Sequence, residues 1–523
     1  MKHMRLLSGN DARSLDFYII ENLVVPADVL AERAGIALSK ACLSLPQVIR
    51  KGCGTIDVFA GKGMNGVDAL VCAREVFSCG HKVRVWIMPE MNDPANERWQ
   101  LTVCRKLGIP VSDVTQYPGE AGNGISGVII DGIFGTSFDS GREAGHVFCS
   151  VVDKISVARE SGAYVISADI PSGLDSDTGL SGASAVTADE TVTFIAPKIG
   201  LFNYPGRNHA GRITVEKLGF SDELLDSLIW SEVTGNQNIY AITMRSASVL
   251  LPERVADGHK GVFGRVAFIG GSKNMAGAVC LCAQACYRSG AGLVYLIVPE
   301  EIRDSCLKIV PEAVTAVSIE ELQVKPDVVI AGPGGSDTEG FTGMVFRSID
   351  TADKLVLDAQ ALHVIADHPV EAERKLNERF NAGISLPVIT PHPGEMKKIM
   401  PEDKGENRIK SACKAAEKYK CVCVLKGAGT VVAEPGGNVW INTTGNSSMS
   451  KGGSGDILAG VIGAFMAQGM GSSDSAVLGV FLHGLCGDIA AKEMSVYSAN
   501  PVDIIRKLSE GFKEIIRGRY QDG

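Results

Sequence analysis

Short apolar runs in the first half of the chain end at residues able to do chemistry. Asn65 and Asp68 follow Ile56–Ala60, Asp131 follows Gly127–Ile130, and Asp169 and Ser172 follow Tyr164–Ala168. If the runs are parallel strands, their carboxyl ends meet in one crevice, where ligands of such sheets collect. Carboxylates, an amide oxygen and backbone carbonyls gathered there suit a hard cation, or acid–base work. Each aspartate alone is more often a cap or turn residue. The loop Gly61-Lys62-Gly63-Met64-Asn65-Gly66 also fits the dinucleotide fingerprint, in which glycines let the backbone approach a pyrophosphate at a helix N-terminus. Glu90 lies where a ribose-binding acid would stand, although one such motif is a weak signal.

A second array lies near the other end. Asn446-Ser447-Ser448-Met449-Ser450-Lys451-Gly452-Gly453-Ser454-Gly455-Asp456 precedes an apolar helical run from Ile457. The free N–H groups of Gly453, Ser454 and Gly455 at a helix start favour an anion. Asp456 beside them could take the proton of an attacking hydroxyl, or simply cap its own helix. Lys426-Gly427-Ala428-Gly429-Thr430 lies between two strands, fit to cradle phosphates with its amides. Gly332-Pro333-Gly334-Gly335-Ser336 and Thr390-Pro391-His392-Pro393-Gly394-Glu395-Met396 end further strands, and Ala276-Gly277-Ala278 opens a helix.

The elements that would position these residues alternate. In the first half, strands at Ile56–Ala60, Lys82–Met88, Gly127–Ile130, Tyr164–Ala168 and Thr191–Ile195 are separated by helices at Val67–Ser78, Pro94–Leu107 and Ala144–Glu160. In the second, strands are expected at Arg265–Ile269, Leu293–Val298, Asp327–Ala331, Lys354–Leu357, Val388–Thr390 and Val422–Leu425. A hairpin of Thr430–Ala433 and Val439–Asn442 follows. Such alternation implies α/β domains with parallel sheets covered on both faces. Between the series, near 220–248, the pattern weakens around the turn-rich Thr234–Asn238. The expected domains are therefore residues 1–225 and 240–523, without an internal repeat. Length agrees, since 523 residues exceed one domain.

Composition narrows the class further. Hydrophobic residues make up 45% and charged residues 21%, which excludes disorder as the main theme. A formal charge of −9 argues against nucleic acid or an anionic membrane as partner. The run Ile457–Ser473 reads as a buried helix, being shorter and less apolar than a span. No secretory signal is expected, and the cysteines read as buried thiols, so the expected compartment is the cytoplasm. A homo-oligomer is expected.

The three strand-end motifs, with Asp169-Ile170-Pro171-Ser172-Gly173-Leu174-Asp175 and Lys198-Ile199-Gly200-Leu201, resemble the amino-terminal domain of the bifunctional NAD(P)H-hydrate repair enzymes. The second array resembles their carboxyl-terminal dehydratase domain. The resemblance implies a Rossmann-like αβα domain followed by a ribokinase-like αβα domain. The first would epimerise hydrated NADH or NADPH, with potassium near Asn65, Asp131 and Ser172 and Asp169 as acid–base residue. Its substrate contacts would come from Met64, Asn65, Gly66, Val67 and Asp68, from Gly135, Thr136, Ser137, Phe138, Asp139, Ser140 and Gly141, and from Asp169. The second would use ADP or ATP, with magnesium, to phosphorylate the hydrate's hydroxyl and expel phosphate. Asp456 would be its base. Lys426–Thr430 (Lys426, Gly427, Ala428, Gly429, Thr430) and the stretch Asn446, Ser447, Ser448, Met449, Ser450, Lys451, Gly452, Gly453, Ser454 and Gly455 would hold the nucleotide. Ala278, Gly335, His392 and Asp456 would touch the hydrate. His392 has a second reading, a hydrogen bond to its own loop. Asp358-Ala359-Gln360-Ala361-Leu362 departs from the family's usual D-A-D-A-L and reads as structural.

The first loop also departs from the family's usual G-x-G-N-N-G-G-D-G, with Met64, Val67 and Ala69 replacing Asn, Gly and Gly. Met64 lacks an amide's hydrogen bonds, and Val67 resists conformations open to glycine. A weakened epimerase is one expectation. Two rivals follow: a ribokinase-like small-molecule kinase, and an amino-terminal domain that serves only as a binding or scaffold module. A plain dehydrogenase leaves most motifs unexplained.

Overall fold

The computed structural model describes residues 3–49, 54–93, 95, 98–119, 126–138, 145–232, 238–405 and 407–521. The chain divides into two compact units, one of residues 5–236 and one of residues 1–4 with 237–523.

Seven parallel strands form the first unit's sheet, in the order Val111–Asp113, Val83–Ile87, Thr55–Ala60, Ser126–Gly132, Tyr164–Ala168, Glu190–Phe194 and Arg212–Glu216. Successive residues of a strand face opposite ways, and both faces here are covered. Val58 and Phe59 accordingly enter two different apolar clusters and are fully buried in both. The order reverses between Thr55–Ala60 and Ser126–Gly132. A crevice opens at such a switch point, beyond the strands' carboxyl ends.

The second unit repeats this logic on a larger sheet. Ten of its strands run side by side in the order Asn238–Ile242, Asn438–Asn442, Val431–Ala433, Val422–Leu425, Val388–Ile389, Lys354–Leu357, Val328–Ala331, Arg265–Ile269, Leu293–Ile297 and Val314–Ala316. All these pairs are parallel except the two made by Val431–Ala433, which lies antiparallel between its neighbours. The switch point lies between Arg265–Ile269 and Val328–Ala331. Gly271 N donates to Pro333 O there (2.9 Å), tying the two strand-end loops together. The helix Ser454–Ala467 is apolar around its whole circumference and lies in the core, as such helices must. The Ser472–Met494 helix is long and apolar enough to cross a membrane, but 72% of its apolar window is buried inside the unit. Its faces are used by the core.

Several expectations need correction. Asn238, expected in a turn-rich break, starts a strand that pairs in parallel with Asn438–Asn442. The short edge strands Val111–Asp113, Arg212–Glu216 and Val314–Ala316 carry too little apolar pattern to stand out in sequence. The helix expected from Val67 begins at Met64, so Val67 has helical backbone and is 2% exposed. No residue from 61 to 68 has a positive φ. Replacing glycine by Val67 therefore strains nothing.

Candidate active sites

In the first unit the switch-point loops are fixed by close backbone approach. A Cβ on Gly61 would lie 1.9 Å from Ile133 O, and one on Gly66 would lie 1.8 Å from Gly61 O. Only glycine lets this loop fold against its neighbour and deliver the helix Met64–Ser78 to the crevice. Asn65 Nδ2 then donates to Phe134 O (3.1 Å) and Ala168 O (2.6 Å), linking two strand ends. Asp131 is fully buried and accepts from Ser167 Oγ (2.8 Å), Ser172 N (2.9 Å) and Ser172 Oγ (2.5 Å). Burial pushes its carboxyl up, against the pull of the Ser172 and Ser167 hydrogen bonds. Ser172 Oγ lies 3.3 Å from Phe134 O. Asn65 and Ser172 thus meet at one carbonyl, Phe134 O, and Asp131 joins them through Ser172.

Asp169 leaves the strand Tyr164–Ala168 with φ +61°, a region that costs most side chains energy. Its carboxylate accepts from Thr193 Oγ1 (3.0 Å), Phe194 N (3.1 Å) and the buried Lys198 ammonium. Lys198 also donates to Phe194 O (3.1 Å). These groups open on a cavity of about 630 Å³ that Met64, Asn65, Asp68, Gly135, Thr136, Ser137 and Phe138 also line. Gly66 and Val67 lie outside its wall, and Asp139, Ser140 and Gly141 lie outside the described residues. Burial holds the Asp68 carboxyl well above its ordinary range, and repulsion from Asp169 and Asp16 adds to this.

Asp16 and Lys198 are the residues sequence reasoning left without a role. Asp16 stands in the solvent-accessible cavity wall. Desolvation there lifts its carboxyl to about 6, with Lys198 opposing and Asp169 adding. It comes from the helix Gly9–Glu21, where a search of strand ends does not look.

The second unit assembles its site around the start of Ser454–Ala467. The N-cap, Gly453, has φ +96°, and no side chain caps the helix. The N–H groups of Gly455 and Asp456 have no hydrogen-bond partner among the described residues. Such orphan donors make an anion site. Desolvation pushes the Asp456 carboxyl up to about 7, with Asp358 and Glu395 repelling it and Lys426 opposing. Lys426 Nζ donates to Asp358 Oδ1 (2.7 Å) and lies 3.7 Å from Glu395 Oε2. Burial works against its charge, but the three carboxylates outweigh burial and hold the ammonium above its ordinary range.

Asp358, read from sequence as structural, is therefore at the centre of the charge cluster. A Cβ on Gly332 would stand 1.6 Å from Asp358 O, so glycine at the Val328–Ala331 strand end admits that backbone. The loops carrying Ala278 and Gly335 also converge, since a Cβ on Gly334 would lie 3.1 Å from Ala278 Cβ. His392 Nδ1 accepts from Gly394 N (3.0 Å) and Glu395 N (3.2 Å), capping its own helix, and the side chain is 57% exposed. Lys451 is tied to Tyr497 O (2.8 Å) and Ala499 O (2.5 Å). Asn446 Nδ2 donates to Asp488 Oδ1 (2.8 Å), whose other oxygen accepts from Gly445 N (2.9 Å). His483 Nε2 lies 3.4 Å from Ser454 Oγ, and burial, then Lys426, push the imidazole down to about 4. Asp488 and His483 sit inside a long helix, with no loop motif to signal them.

Comparison with known proteins follows the same division. Residues 266–510 match the family model described as NAD(P)H-hydrate dehydratase, and residues 27–200 match that of the YjeF-related protein N-terminus. A Moorella thermoacetica protein named bifunctional NAD(P)H-hydrate repair enzyme Nnr is 32% identical, over 94% of this chain and 93% of its own. One of the same name from Thermofilum pendens is 31% identical over 99% of both. The Bacillus subtilis ADP/ATP-dependent NAD(P)H-hydrate dehydratase, co-crystallised with ATP/Mg2+, is 28% identical, over 53% of this chain and 98% of its own, with a TM-score of 0.46.

Proposed function

The chain belongs to the family of bifunctional NAD(P)H-hydrate repair enzymes, and from that premise we propose how its residues divide the two reactions. It is an epimerase and a dehydratase in one chain, with αβα domains of Rossmann-like and ribokinase-like type. In the first, Asp169 is the acid–base residue for epimerisation at the carbon that carries the added hydroxyl, and Lys198 orients its carboxylate. Asp68, Gly135, Thr136, Ser137 and Phe138 hold the hydrate, with Asp139, Ser140 and Gly141 assigned beside them.

In the second, Asp456 takes the hydroxyl proton of the S hydrate while the oxygen attacks the terminal phosphorus of ADP or ATP. The nucleotide leaves as AMP or ADP. The ring nitrogen's electron pair then expels phosphate, a proton leaves the neighbouring ring carbon, and NAD(P)H is restored. The observation that carries this reading is Asp456, poised near neutrality beside unpaired helix-start amides. Lys426–Thr430 and Asn446–Gly455 hold the nucleotide, and Ala278, Gly335 and His392 hold the hydrate.

Potassium would be held at the first site by oxygens, namely the Asp131 carboxylate, the Ser172 hydroxyl, Phe134 O and, once its amide is turned, Asn65 Oδ1. Bound there, the cation would supply fixed positive charge to the hydrate's oxygens. Magnesium would accompany the nucleotide at the second site, held mostly by the phosphates and water. Interconversion of the epimers should rise with potassium but not with choline, and Asn65→Ala should remove that dependence. Met64, 44% exposed in the cavity, is the one loop departure that weakens the substrate's grip. Met64→Asn should lower the KM for the R hydrate and leave the fold unchanged.

The thirteen described cysteines are all free thiols, which supports a reducing, cytoplasmic setting. The division of labour is tested by supplying pure R hydrate with nucleotide. Recovery of reduced cofactor faster than spontaneous epimerisation supports it; recovery at the spontaneous rate refutes it.

A further inference from the structure

The phosphate-cradling loop Lys426–Thr430 has a support that lies outside it. Arg408 opens the helix Arg408–Tyr419 directly after the N-cap Asn407. That is a poor place for a cation, because a helix start carries the positive end of the dipole. The guanidinium turns back onto the loop instead. Nη1 donates to Ala428 O (2.5 Å), and Nη2 donates to Leu425 O (3.2 Å) and Lys426 O (3.3 Å). Thr430 Oγ1 donates to the carbonyl between them, Gly427 O (2.9 Å). Arg408 thereby holds three of four successive carbonyls, and Thr430 holds the fourth.

The complementary groups are left open. The N–H groups of Gly427 and Ala428 have no hydrogen-bond partner among the described residues. Gly427 has φ +145°, which favours glycine, and a Cβ on it would stand 2.8 Å from Arg408 Nη2. In a loop of this kind a single peptide flip replaces an N–H by a C=O, turning a phosphate donor into an oxygen that repels phosphate. Lys426 does not prevent this, since its ammonium is held by Asp358.

We infer that Arg408 is a positioning residue for nucleotide binding, a strut that fixes the carbonyls of Leu425–Ala428 outward so that the Gly427 and Ala428 amides meet the nucleotide's phosphates. The inference rests on the reading of Lys426–Thr430 as the nucleotide loop. Arg408 needs no contact with the nucleotide. Its planar fork reaches several carbonyls at once, which a lysine ammonium cannot do in the same geometry.

The test measures ADP binding by calorimetry, and steady-state dehydration, on the full chain and two variants. Arg408→Gln is expected to weaken ADP binding about tenfold or more, as befits the loss of charge-assisted hydrogen bonds. The KM for the S hydrate and the epimerase rate should be unchanged, which also shows that the variant is folded. At saturating ADP its kcat should stay within about threefold of wild type, the split expected when only binding is lost. Arg408→Lys, which keeps the charge without the fork, should recover the affinity only in part. Wild-type affinity in Arg408→Gln would overturn the inference. So would full recovery in Arg408→Lys, because charge alone would then be the cause. Absence of ADP binding by the wild-type chain would overturn the underlying assignment of the loop instead.

Discussion

Asp456→Asn is expected to slow dehydration of the S hydrate by about two orders of magnitude or more, the usual cost of losing a general base. Binding of ADP should persist, since the amides of Gly427, Ala428 and Gly455 remain and a negative charge near the phosphates is gone. The pH profile carries the same argument. A base must be ionised to accept a proton, and this carboxyl titrates at about 7. Dehydration should therefore decline about tenfold per pH unit below that value in the native enzyme. The variant's residual rate should lack that limb.

Stability moves the other way. A carboxyl whose folded pKa is raised favours the fold below its unfolded value, and that contribution is lost as pH rises through about 7. Above neutrality the native unit carries an ionised, partly desolvated Asp456 beside Asp358 and Glu395. Asp456→Asn should therefore raise the Tm at pH 8 more than at pH 5. An unchanged difference between the two pH values, in a variant that has lost activity, would refute the electrostatic picture of the site.

Asp169→Asn has the second largest expected effect, a loss of epimer interconversion by about two orders of magnitude, with dehydration of the S hydrate unaffected. Asparagine is the appropriate replacement because it tolerates the positive φ at this position. The variant also strands a buried ammonium, since Lys198 loses its carboxylate partner. Breaking such a pair costs about 3–5 kcal/mol, whereas replacing both partners by apolar or neutral groups is often nearly neutral. The double variant Asp169→Asn, Lys198→Met should therefore regain most of the lost thermal stability without regaining epimerase activity. Activity that returned with stability would mean that Asp169 is a structural residue and not the acid–base group.

Much of this was legible in the sequence because the chemistry sits at the carboxyl ends of strands. Val328–Ala331 is apolar on both faces, as a buried parallel strand must be, and Ile56–Ala60 departs only at the ion-paired Asp57; the segments after them carry Asn65, Asp68, Gly334 and Gly335. The residues that escaped notice reach the sites from elsewhere. Asp358 follows a strand end, but the partner that gives it a role, Lys426, lies 68 positions away in sequence. Asp16, His483 and Asp488 project from helices whose pattern is set by packing. Val67 misled because a missing glycine suggested lost backbone freedom, whereas the helix begins three residues earlier than its apolar periodicity. His392 had two readings, and its Nδ1 serves its own loop while the rest of the ring stays exposed.

The measurement that bears most directly on nucleotide-driven repair is a product balance on the S hydrate. With limiting hydrate and excess ADP, the increase in reduced-nicotinamide absorbance and the phosphate released are followed together. One phosphate for each reduced cofactor, both abolished in Asp456→Asn, is the predicted result. A stable phosphorylated hydrate with neither phosphate nor reduced cofactor would make the second domain a kinase and contradict the account.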